Sequence, residues 1–275
     1  MMKRSIYHTL TVGVVVGAVL ALSFLCKKAT DGFSELSIIH TLDEGSCSLP
    51  ESLKHLENQT FKYLGKGAQS YAFISEDGQY VIKFLRFDHL LPKLAVRLLN
   101  FIPHPYIQSR LQKSQRELSE LLTSIRIAQN QLSELTLVEH FQTQSLKKPL
   151  TIIDRIGICH KIKNAPFVVQ LYATPLNSLI DHLTLEEAKN LINQTILFFN
   201  KRSSLSIHDK DPNLLTNFGF YQNRLIEFDI GRFYPIVEPL DTLKHKEQLY
   251  QIVEMLWPKL LPKYPELKSY LDSCL

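Results

Sequence analysis

The sequence predicts an α+β fold with two lobes, preceded by an N-terminal transmembrane helix. Three observations predict it. Residues from about 10 to 26 are almost wholly apolar, short strand-like runs from about 61 to 172 surround one long helical pattern, and the pattern beyond 176 is mostly helical. Strands with one helix followed by a helical half point to segregated α+β packing. The 275 residues suffice for one domain of substantial core or two small ones.

The apolar run follows a basic start at Lys3-Arg4 and is closed by Lys27-Lys28, with Thr11, Gly13, Gly17 and Ser23 inside it. Roughly 17–25 such residues can cross a bilayer as a helix. Residues 1–29 therefore read as a single-pass membrane anchor, with a cleaved signal or a buried helix as alternatives. Its flanking charges balance, so they leave the orientation open; use of ATP would favour a cytoplasmic domain. Residues 30–56 are polar and read as a linker, 57–175 as the strand-rich lobe with the long helix, and 176–275 as the helical lobe.

Composition excludes some classes. A dispersed net charge of +4 gives no basic footprint for nucleic acid. Cys26, Cys47, Cys159 and Cys274 lie far apart, which argues against a zinc site or a disulfide framework. The histidines share no ligand spacing.

The strand-rich part begins with Leu64-Gly65-Lys66-Gly67-Ala68-Gln69-Ser70-Tyr71-Ala72-Phe73, a strand, a glycine turn and a strand. Gly65 and Gly67 let backbone approach a phosphate chain and offer amides to anionic oxygens. Glu76-Asp77-Gly78 supplies a turn, and Tyr80-Val81-Ile82-Lys83-Phe84 is an apolar strand with one lysine set into it. That ammonium needs an anion or water. An ordinary hairpin with a snorkelling lysine is the simpler alternative.

A basic, apolar stretch at 90–99 reads as a helix packed over the fold or lying on a membrane. From 106 to about 135, Ile107, Leu111, Leu118, Leu121, Leu122, Ile125 and Leu132 recur at helical spacing, with Glu117 and Glu120 between them. Strands are expected at 136–142, 151–163 and 167–172, with Asp154 and Arg155 as strand-edge charges. A short helix at 176–183 and a capped helix from Thr184-Leu185-Glu186-Glu187 to about 202 follow. Two short helices are expected in the tail from 243 to 275.

The second chemical stretch is Ile207-His208-Asp209-Lys210-Asp211-Pro212-Asn213-Leu214-Leu215-Thr216-Asn217, then a short hairpin and Phe228-Asp229-Ile230-Gly231. Carboxylate and amide oxygens are hard ligands for magnesium, and a further carboxylate can accept a hydroxyl proton. The alternative is a helix-capping loop followed by a turn.

The order of glycine loop, strand lysine, long helix with glutamate, acidic loop with asparagine, and Asp-x-Gly resembles the protein-kinase-like superfamily over about 61–233. The resemblance implies a two-lobed protein-kinase-like fold with a reduced helical C-lobe. It implies that Gly65, Lys66, Gly67 and Ser70 cover the phosphates of ATP. It implies that Lys83 holds the α- and β-phosphates and pairs with Glu117, or with Glu120. A general base would come from Asp211 or Asp209, and Asn217 and Asp229 would hold Mg²⁺. The sequence departs from the family's pattern in its acidic loop. Asp211 to Asn217 is six residues and Asp209 to Asn213 four, where the family has five. No Ala-Pro-Glu follows Asp229, and His208 is given no chemistry. The implied function is a membrane-anchored kinase-like protein binding ATP and Mg²⁺ and transferring phosphate to a small-molecule, lipid or protein acceptor. The other implied function is an inactive pseudokinase that senses nucleotide or binds a partner.

Overall fold

The computed structural model describes residues 2–87, 105–236 and 241–275. Its strands are β1 (Ser46–Cys47), β2 (Thr60–Lys66), β3 (Ser70–Ser75), β4 (Tyr80–Leu85), β5 (Val138–Gln142), β6 (Ser145–Leu146) and β7 (Leu150–Ile153). They continue with β8 (Cys159–Ile162), β9 (Phe167–Leu171), β10 (Thr174–Pro175), β11 (Ile207–Asp209), β12 (Phe218–Tyr221), β13 (Arg224–Glu227) and β14 (Phe233–Pro235). The α-helices are α1 (Met2–Ala29), α2 (Glu35–Ile38), α3 (Pro105–Asn130), α4 (Ser133–Thr136) and α5 (Leu176–Leu179). After them come α6 (Leu185–Ser204), α7 (Leu214–Asn217), α8 (Thr242–Glu254), α9 (Trp257–Leu260) and α10 (Leu267–Cys274). The chain is α+β, with parallel and antiparallel pairing in its sheets.

Among the described residues no helix is long and apolar enough to cross a membrane. This overturns the expected N-terminal transmembrane helix. The apolar run is about as short as a span can be, and glycine and hydroxyl residues dilute it. The membrane partner and single-pass placement rested on that helix and are not carried forward. The basic, apolar stretch at 90–99 lies outside the described residues.

Contacts divide the chain into two compact units. The first comprises the residues up to Glu76, with Phe84–Phe87 and Thr143–Pro166. Its strands run in the order β3-β2-β7-β8. β2 and β3 are antiparallel with a register shift between Tyr63 and Gly65, β2 and β7 parallel, and β7 and β8 antiparallel. Alternation buries Tyr71 and Phe73 on one face of β3. The rings of Phe33, Tyr71 and Phe73 meet edge to face at 5.3–5.4 Å.

The segment 30–56 is packed structure, where a linker was expected. Phe33, Ile38, Leu49, Leu53 and Leu56 are buried, and a 3-10 helix covers Glu51–Asn58. Its polar composition hid widely spaced anchors, each worth about 2 kcal/mol when buried. The strand expected over 151–163 is a hairpin. Asp154 is buried at its turn and accepts from the Ile156 and Ile158 amides, so it is a turn residue and not an edge charge.

The second unit comprises Asp77–Lys83, the described residues up to Gln142, and those from Phe167 onward. It holds β9 between β4 and β5, the sheet β10-β12-β13, and the antiparallel pair β11 and β14. Gly78 turns the chain into β4 with φ of +71°, a conformation that favours glycine. The long helix α3 packs on β14 and β5 and belongs to this unit, although the sequence placed it with the strand-rich lobe. α6 starts with the expected capping box, in which Thr184 Oγ1 accepts from the Glu187 amide at 3.3 Å and Glu187 Oε2 accepts from the Thr184 amide at 2.8 Å. Phe198 and Phe199 of α6 pack on Phe218 of β12. The tail holds the three helices α8, α9 and α10, because Trp257-Pro258 and Tyr264-Pro265 interrupt it.

Candidate functional site

The site in the second unit is set by a hairpin. β12 and β13 are joined at Gln222-Asn223, both at positive φ, and Phe218 pairs with Glu227. The residues just outside that pair are Asn217 and Phe228. The Phe228 and Asp229 amides both donate to the Asn217 carbonyl, at 2.9 and 3.3 Å. Asn217 and Asp229, twelve positions apart in sequence, are thereby brought side by side.

The acidic loop is tied to the same point. Asn217 is buried, and its Nδ2 donates to the Asp211 carbonyl at 2.7 Å. Asp209 Oδ1 accepts from the Asp211 amide at 3.0 Å. The Asp211 carboxylate is exposed and lies 3.5 Å from Arg232. Asn213 caps α7, its Oδ1 accepting from the Leu215 and Thr216 amides at 3.1 and 3.3 Å. Its side-chain oxygen is therefore committed to the helix.

Lys83 completes the arrangement from β4. Its ammonium donates to the Phe228 carbonyl, and the Phe228 ring centroid is 5.5 Å away. Burial lowers this lysine to about 8, while the Asp229 charge pulls it upward. A cation short of solvation thus stands beside an exposed carboxylate, a setting that favours an incoming anion.

Two supports were not predicted. Ser124, on the buried face of α3, donates to the Ile230 carbonyl at 2.5 Å and accepts from the Phe233 amide at 2.6 Å. It clamps the segment that follows Asp229. A hydroxyl on an apolar helix face was the available signal, since it must find a partner. Below β11 and β13, Arg202 and Glu227 form a buried ion pair at 2.6 Å. Burial pushes the Glu227 carboxyl well above the usual range against the pull of Arg202, and the Asp209 charge adds to the rise.

The two glutamates lie elsewhere. Glu117 is exposed and pairs with Lys113 at 3.8 Å, and Glu120 pairs with Lys210 at 2.8 Å. The buried residues of α3 include Ser114, Leu121, Ser124, Ile125 and Ala128, and both glutamates are exposed, each engaged by a lysine other than Lys83. The neighbours of Lys83 are instead Phe228 and Asp229.

The glycine loop belongs to the first unit and is described by itself. The Gly67 amide donates to the Ser70 carbonyl at 2.9 Å, so it is not free for a phosphate. The Ala68 and Gln69 amides have no protein partner among the described residues. Arg86 is buried, donates to the Gly67 carbonyl at 2.9 Å and lies over the Tyr71 ring at 4.9 Å. The Lys66 ammonium donates to the Asp31 carbonyl at 2.8 Å. A Cβ on Gly65 would meet nothing within 4 Å, so packing within the protein does not dictate that glycine.

Among the described residues no group of three or more His, Cys, Asp or Glu converges to hold a metal. Asn217 Oδ1, which also accepts from the Thr216 hydroxyl at 2.9 Å, and the Asp229 carboxylate are two oxygen donors. Such a pair fits magnesium, which keeps waters and takes phosphate oxygens besides one or two protein ligands. No family model and no curated protein sequence matches the chain.

Proposed function

We propose that the chain is a kinase-like phosphotransferase that binds ATP through the Lys83, Asn217 and Asp229 site. The observation that carries this reading is the junction at Asn217. Its backbone carbonyl holds Phe228 and Asp229, its side chain holds Asp211, and Lys83 meets the Phe228 carbonyl. A partly buried cation, a metal-suited oxygen pair and an exposed carboxylate then share one polar knot, the inventory that phosphoryl transfer needs.

In this reading Lys83 neutralises α- and β-phosphate oxygens and regains solvation from them. Asn217 and Asp229 would hold Mg²⁺, which when bound supplies positive charge for the phosphate oxygens. Asp211 is the base, because its carboxylate is exposed while Asp209 spends Oδ1 on the Asp211 amide. Asp211 takes the proton of an acceptor hydroxyl, the acceptor oxygen bonds to the γ-phosphorus, and the bridging P–O bond breaks to release ADP.

The second reading is nucleotide binding without transfer. The ion pair of Asp211 with Arg232 favours it, since the carboxylate that would serve as base already has a partner. Turnover of γ-labelled ATP by the full chain with Mg²⁺ separates the two. The transfer reading predicts ADP and labelled product, with a loss of at least about 100-fold in Asp211→Asn. Binding without ADP formation selects the second reading. Absence of binding rejects both.

A further inference from the structure

The second unit contains a cavity of about 270 Å³ that the phosphate chemistry does not use. Its walls come from α6, β11, β14 and α8. Phe199, Ile252 and Met255 supply an apolar, partly aromatic side, with Phe199 and Ile252 buried. Such a surface matches the flat body of a ring compound.

The polar side is mixed but balanced in charge. Arg202 faces the cavity with its guanidinium 4.4 Å above the Phe199 ring and pairs with Glu227 at 2.6 Å, and the Glu227 carboxyl is in turn hydrogen-bonded to that of Asp209. His208 is half-buried, and among the described residues its ring nitrogens bond to nothing. Burial, Arg202 and His245 hold it below its usual value, so it stays uncharged and offers one donor and one acceptor. The Tyr234 ring meets it edge-on at 6.1 Å, and the Tyr234 hydroxyl also lacks a partner among the described residues. His245 closes the rim with both nitrogens engaged, at 2.7 Å to Asn200 and 3.5 Å to Ser203.

An ion entering this space would lose its water and find the wall charges already compensated, which is costly. A neutral donor–acceptor group would find His208 and Tyr234 waiting. We propose that the cavity binds a small uncharged aromatic ring carrying a donor and an acceptor side by side, as a carboxamide does. The ring lies on Phe199, Ile252 and Met255, and the amide meets His208 and Tyr234. This site goes beyond the nucleotide reading and does not rest on it.

The test is titration of the full chain, without nucleotide, by three probes of one shape: benzamide, benzoate and benzylammonium. The proposal predicts that benzamide binds and that each ion binds at least about tenfold more weakly. Met255→Trp fills the cavity and abolishes benzamide binding. His208→Phe keeps a ring of similar size without its nitrogens and weakens binding at least about tenfold, a second variant should the first not fold. Equal binding of the three probes overturns the proposal, as does benzamide binding that survives both variants unchanged. Absence of benzamide binding at millimolar concentration overturns it as well.

Discussion

The side-chain amide of Asn217 holds the main-chain carbonyl of Asp211, six residues earlier, at 2.7 Å. That bond is partly buried, and it joins the acidic loop to the hairpin that carries Asp229. Asn217→Ala leaves the Asp211 carbonyl without this donor. A loss of about 1 kcal/mol is expected from removing a partly buried hydrogen bond, read as a fall in unfolding midpoint. Asp229→Asn keeps an oxygen that can accept from the Gly231 amide but removes the charge that favours the Lys83 ammonium, so its midpoint at neutral pH should fall and the Lys83 value should drop further. Any magnesium response of nucleotide binding should vanish in that second variant.

Lys83 makes stability depend on alkaline pH. Its folded value is lowered from 10.5 to about 8, by burial first and against the pull of Asp229. Between those values the unfolded chain holds a proton that the folded chain has released, so stability rises with pH across that window. Below about 8 the cost is constant. Lys83→Met should therefore stabilise the chain at neutral pH by about 1–3 kcal/mol, and the gain should shrink as pH approaches the unfolded lysine value. Denaturant unfolding at neutral pH and near pH 10 reads the difference.

His160 sets an opposite dependence in the first unit. Its ring nitrogens meet Glu35 at 2.8 Å and Asp154 at 3.0 Å, and the Phe33 ring stands 5.3 Å away. Burial alone would lower this histidine, but the bonds to Asp154 and Glu35 outweigh it and the net shift is upward. The stabilisation is therefore complete below the usual histidine value and is lost as pH rises through the raised one. His160→Gln should weaken protection of the α2 amides against hydrogen exchange more at about pH 6 than at about pH 9. An equal effect at both values would show that charge is not what holds α2.

Two glycines differ in what packing demands of them. A Cβ on Gly219 would overlap the Thr174 carbonyl and stand 3.3 Å from Pro175 Cα, both backbone atoms of β10. Gly219→Ala should cost about 2 kcal/mol or more. Gly65 has open space around its Cβ position. Gly65→Ala should leave stability within about 0.5 kcal/mol of the parent, read by the unfolding midpoint.

Local rules made much of the second unit legible. The Thr184–Glu187 capping box, the Gly78 turn and the hairpin before Asp229 each follow from short-range chemistry, and each stands where it was expected. The order Lys83, Asn217, Asp229 could be read for the same reason. The partner of Lys83 was not readable. Glu117 and Glu120 sit at helical spacing beside apolar residues, and spacing alone does not reveal that they are exposed and paired with Lys113 and Lys210. The packing of 30–56 was hidden because its buried residues are scattered among polar ones. The ion pair of Arg202 and Glu227 joins residues 25 positions apart, beyond the reach of any periodic pattern. For the N-terminal run, hydropathy alone overstated its capacity to cross a membrane.

The central claim is that Lys83, Asn217 and Asp229 form a nucleotide-phosphate site. Its most direct test is calorimetric titration of the full chain with ATP and Mg²⁺ near pH 8.5, in buffers of different ionisation heat. Lys83 is largely uncharged there, and an arriving phosphate should recharge it. The account predicts saturable binding with uptake of a fraction of a proton, and Lys83→Ala should abolish the uptake and weaken binding at least about tenfold. Binding with the same proton uptake in wild type and Lys83→Ala, or no binding at millimolar ATP, would contradict it.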